Sequence, residues 1–102
     1  MGITAQETAF KIKDMVKKYD VVILSKIQLV TLAGRERLKE AFLDTVLYFL
    51  KEDHNISGLS EDLDNSRIIF SRTKRMFRRM SNGTVCTEAR TLRYDVFNEY
   101  VS

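Results

Sequence analysis

Apolar positions along the first twenty residues recur with a helical period. Ala5, Ala9, Ile12, Met15, Val16 and Tyr19 fall on one stripe, and Lys11, Lys13, Lys17 and Lys18 lie away from it. Thr4-Ala5-Gln6-Glu7, preceded by Ile3, has the form of a capping box. The pattern predicts an amphipathic helix of about four turns ending near Tyr19. The next run, Val21 to Gly34, shows neither period clearly. Its β-branched residues favour a strand, but no second convincing strand is evident to pair with it, and a lone strand leaves its backbone groups unpaired. A buried helix beginning at Asp20 is therefore expected, with an intermolecular strand in a dimer as the alternative.

Gly34 interrupts that run, and residues 35–53 again have a helical pattern. Leu38, Ala41, Phe42, Thr45 and Phe49 form the main seam, while Leu43, Leu47 and Leu50 lie beyond it. Only Arg37, Glu40, Asp44 and Lys51 make a narrow polar strip. A helix apolar on most sides is a buried one, so this segment is predicted to be central or part of a dimer interface using Leu43, Leu47 and Leu50. Residues 52–60 read as a connection, with Asn55, Ser57 and Gly58 supplying turn chemistry. Ser60 is placed to cap a helix running to Met80 and stopping at Ser81-Asn82-Gly83. A last helix starts at Thr84 or Thr87, with Val85, Ala89, Leu92, Val96 and Tyr100 as its seam.

The expected fold is all-α, a compact bundle of four to five helices in a single domain spanning 1–102, paired as a homodimer. Composition agrees. The chain of 102 residues has no proline and only 4 glycines, which removes the commonest helix breakers. It is 44% hydrophobic and 30% charged, an ordinary globular balance. The single cysteine, Cys86, cannot form an internal disulfide and suits a reducing compartment. The opening MGITAQETAF lacks the form of a secretory leader, and Val21–Ala33 is too short and too interrupted to span a bilayer. A soluble, cytoplasmic or otherwise intracellular protein is expected, with no membrane partner.

Charge is unevenly distributed. Residues 36–64 hold eight acids against three bases, whereas residues 65–87 hold six bases and no acid. On a helical wheel Arg67, Arg72, Lys74, Arg75, Arg78 and Arg79 fall within an arc of about 160°, and Ser71 lies inside it. Ile69, Phe70, Met76, Phe77 and Met80 occupy the opposite side, and Ile68 alone intrudes on the basic face. Such a helix could dock on the core and offer its arginine forks and the Ser71 hydroxyl to a phosphate backbone. Against this stands the plainer possibility that these bases pair with the chain's own acids or are simply solvated.

The expected function is nucleic-acid binding, to DNA or RNA, through this basic helix. The alternative is an adaptor or inhibitor whose basic face docks an acidic protein surface. Chemistry is thinly provided. His54 is the only histidine, Cys86 has no partner placed to activate it, and no phosphate loop or nucleophile motif occurs. No enzyme activity, cofactor or metal is expected.

Overall fold

A computed structural model describes residues 2–60, 67–74, 90–91 and 97–101. The chain folds as α1 (Ala5–Tyr19), β1 (Val22–Ser25), α2 (Lys26–Ala33), α3 (Glu40–His54), β2 (Ile56–Ser60), β3 (Arg67–Arg72) and β4 (Arg90–Thr91). Among the described residues it is an α+β fold, three helices with a mainly antiparallel sheet, and the all-α bundle is overturned. The strands lie in the order β2-β3-β1-β4. β3 pairs antiparallel with β1 and with β2, and two-residue β4 adds in parallel to β1.

α1 forms as its pattern predicts. The Glu7 backbone N–H donates to Thr4 Oγ1 at 3.1 Å, and the helix buries Thr8, Ala9, Ile12, Met15 and Val16. The Val21–Gly34 run is both strand and helix, joined at one residue. β1 extends to Ser25, whose hydroxyl accepts from the Gln28 backbone N–H at 3.2 Å, while Gln28 Oε1 accepts from the Ser25 N–H at 2.9 Å. This second capping box starts α2 at Lys26. Gly34 then ends α2 in the left-handed region, φ 66°, which glycine enters without steric cost.

The helix predicted from Ser60 to Met80 is overturned where the structure describes it. Ser60 closes β2 opposite Ile68, and Arg67–Arg72 is the central strand. The reason is burial on both faces. Ile68 and Phe70 face α1 and α3, while Ile69 and Ser71 face the other side, so the strand reads as a run without alternation. The partner that β1 lacked on paper is this strand: Val22 pairs with Phe70 and Leu24 with Ile68. The predicted last helix is also overturned at Arg90–Thr91, which is strand.

One core lies between the sheet and the helices. Val22, Leu24, Ile56, Ile68 and Phe70 meet Ala9, Ile12, Met15 and Val16 of α1 and Leu43, Val46 and Leu50 of α3. Phe97 is buried in the same core, and Tyr100 packs against it. Burial, then the neighbouring Tyr19, push the Tyr100 phenol above its usual value. Val21, Ile23 and Ile69, with Leu59 against them, make a smaller cluster on the opposite face.

Ser71 is 1% exposed, and its hydroxyl has no hydrogen-bond partner among the described residues. A buried hydroxyl without a partner costs folding free energy. Ser71→Ala is therefore expected to leave stability unchanged or raise it by up to about 1 kcal/mol. Urea titration checks this, and a fall of similar size would show that the hydroxyl is satisfied.

Candidate nucleic-acid interface

The turn between α2 and α3 carries three exposed bases, Arg35, Arg37 and Lys39, with Glu36 among them. After Gly34, the Arg35 backbone N–H returns to the Val30 carbonyl at 3.1 Å, closing the end of α2. The Arg35 guanidinium donates to the Ile3 carbonyl at 3.0 Å and lies over the Phe42 ring, 3.9 Å from its centroid. Arg35 thus ties the turn to the N-terminal segment and to α3. Arg37 and Lys39 are exposed, and neither has an ion pair among the described residues.

Lys39 is the N-cap of α3 but offers no side-chain acceptor to it. The first backbone bond of the helix runs from the Leu43 N–H to the Lys39 carbonyl at 3.0 Å. The N–H groups of residues 40–42 therefore have no partner within the helix, at the end where the helix dipole is positive. They open beside a surface depression of about 450 Å3 lined by Gly2, Gly34, Arg35, Glu36, Arg37, Lys39 and Phe42. From this end α3 exposes Glu40 in its first turn, then Ala41, Asp44, Thr45, Tyr48, Lys51, Glu52 and Asp53. Tyr48 is 61% exposed, and Thr45 Oγ1 is engaged with the Ala41 carbonyl at 2.8 Å.

The residues singled out from sequence are dispersed. Arg67 and Arg72 end β3 and point to opposite faces of the sheet, both exposed, so the single basic arc does not exist there. Arg72 reaches Asp20 Oδ1 at 3.0 Å. Ser71 is buried between the two, where a phosphate cannot reach it. Lys74 is exposed just beyond the strand. Arg75, Arg78 and Arg79 lie outside the described residues.

The leucines assigned to a dimer interface are placed differently as well. Leu43 and Leu50 are buried in the protomer's own core, at 7% and 0% exposure, and Leu47 is half-buried against it. The expected seam is rotated, since Ala41 and Thr45 are exposed while Leu43, Val46 and Leu50 face inward. α3 is apolar on several sides because α1 and β2 both pack on it.

His54 is the last residue of α3 and stands edge-on to Phe10, with ring centroids 6.2 Å apart. No three His, Cys, Asp or Glu side chains among the described residues are grouped as a metal ion would need. None of the described helices is long and apolar enough to cross a membrane. The bases missed from sequence are Arg35, Arg37 and Lys39. Their signal was a helix-ending glycine followed by three bases in five positions.

Comparison with protein-family models, with curated proteins and with solved structures gives no match to this chain.

Proposed function

We propose that the protein binds duplex nucleic acid through the 34–39 turn and the N-terminal end of α3. One observation carries this: the uncapped N-terminus of α3 is approached through exposed Arg37 and Lys39, on a turn that Arg35 pins in place. Backbone N–H groups, arginine and lysine at that end are what a phosphate backbone requires, and Glu36 and Glu40 stand beside them. The six-residue turn, 34–39, holds all three bases. Such a partner places the protein inside the cell, which the lone Cys86 suits.

The test is salt dependence. Binding to random duplex DNA should weaken steeply with salt, and Arg37→Ala with Lys39→Ala should reduce the log–log slope by about 1.8, or about 0.9 for each phosphate no longer neutralised. Affinity should drop by a similar factor on every sequence. A parent with no affinity for duplex, or a folded double variant with an unchanged slope, overturns the proposal.

A second reading, a protein-docking module, is favoured by α3 itself. Asp44 and Glu52 share its exposed face with Tyr48, and carboxylates repel phosphates while tyrosine anchors protein interfaces. The docking surface would then be this helix, against a basic partner. Two-fold pairing remains part of the proposal on different ground, because paired modules read half-sites about 34 Å apart. Light scattering should then find the mass of the palindromic duplex raised by twice 11.9 kDa, and one protomer per site would exclude pairing.

A further inference from the structure

A second cationic place lies at the other end of α3, about 22 Å along a helix of this length. Lys13 and Lys17, one turn apart on α1, face Arg72 at the end of β3 and His54 at the end of α3. Between them Val16 and Ile56, at 0% and 3% exposure, form an apolar floor. The cleft holds about 240 Å3, less than the roughly 300 Å3 at which drug-sized sites begin. Its occupant must be small.

The charges are partly engaged. Asp14 meets Lys13 at 2.8 Å and Asp20 meets Arg72 at 3.0 Å, both in solvent-exposed bridges that hold their partners weakly. Arg72 keeps further donors free of that bridge, since a guanidinium has five N–H groups. Lys17 has no ion pair among the described residues. Lys13 Nζ also sits 4.1 Å from the centroid of the Phe10 ring, which His54 meets edge-on.

We infer that this cleft binds a small amphipathic anion, a carboxylate or phosphate monoester on a short apolar body. The cationic rim recognises the acid and the Val16–Ile56 floor takes the body. A bare anion gains nothing from the floor, and a neutral apolar molecule gains nothing from Lys17 or Arg72. The inference does not rest on nucleic-acid binding, which uses the opposite end of α3.

The experiment titrates the full chain, labelled with nitrogen-15, with four probes: phenyl phosphate, benzoate, inorganic phosphate and benzyl alcohol. The two amphipathic acids should shift the amides of Lys13, Val16, Lys17, His54, Ile56 and Arg72 saturably, and the tighter of them identifies the headgroup. Inorganic phosphate and benzyl alcohol should bind more weakly. Lys17→Ala with Arg72→Gln should lose about tenfold or more in affinity, as the removal of charge-assisted hydrogen bonds predicts. Should that variant misfold, Lys17→Gln alone, on an exposed helix face, carries the same test. The inference is overturned by the absence of saturable shifts, by benzyl alcohol binding as well as the acids, or by a folded variant that binds like the parent.

Discussion

Phe70→Ala is expected to cost about 3–5 kcal/mol, a large part of the roughly 5–15 kcal/mol that holds a domain together. Phe70 is fully buried at the middle of β3, the central strand. It pairs with Val22 on one side and Gly58 on the other, so both neighbouring strands pack around its ring. Truncation removes the transfer free energy of the ring and leaves a cavity that three hydrogen-bonded strands cannot collapse to fill. Guanidinium denaturation should show the midpoint falling far more for Phe70→Ala than for Phe70→Leu, which keeps most of the volume. Equal losses for the two would mean that the ring is not the keystone of this face.

Gly58→Ala should also be damaging, and for the complementary reason. A Cβ at Gly58 would lie 2.5 Å from Leu47 Cδ2 and 2.9 Å from Phe70 Cε1. The leucine tip could rotate aside, but the Phe70 ring is fully enclosed and cannot retreat. Overpacking of this kind costs about 1–3 kcal/mol. The glycine is needed for closeness, since β2 must approach α3 and the Phe70 ring together. Pairing Gly58→Ala with Leu47→Ala should recover part of the loss, and thermal melts of the single and double variants measure it. No recovery would place the strain on Phe70 alone.

α1 was legible, but the fold class was not, because every strand lies in a segment that reads as helix or connection. α1 followed from its period and from Thr4 and Glu7. The start of α2 was equally available, because Ser25-Lys26-Ile27-Gln28 has the capping-box form, yet those polar residues read as interruptions in an apolar run. β3 was hidden because burial on both faces removes alternation, and because Arg67 and Arg72 at its ends fit a helical wheel. Ile68, stranded among bases on that wheel, was the sign that the period was wrong. α3 begins at Glu40 and not at Arg35, and no side-chain cap marks that start, since its N-cap is Lys39. The helical pattern from Arg35 therefore puts Arg37 on a polar strip of the helix instead of at the approach to its N-terminus. The candidate site was missed with it, because Gly34 followed by three bases in five positions also fits the start of a helix.

The central place of β3 also sets the order in which the molecule can assemble. Val22 finds its partner Phe70 only forty-eight residues later along the chain. Closing so long a loop costs entropy before any contact rewards it. The β2–β3 hairpin is local and α1 is capped by its own residues, so both can form early. β1 should gain its antiparallel hydrogen bonds after the hairpin, which presents Ile68 and Phe70 as a template, and β4 adds to β1 from further along the chain. During synthesis the first half of the chain therefore waits, helical but without a sheet, until residues 67–72 have emerged. In φ-value terms, β2 and β3 should belong to the folding nucleus, and β1 should report mainly on unfolding.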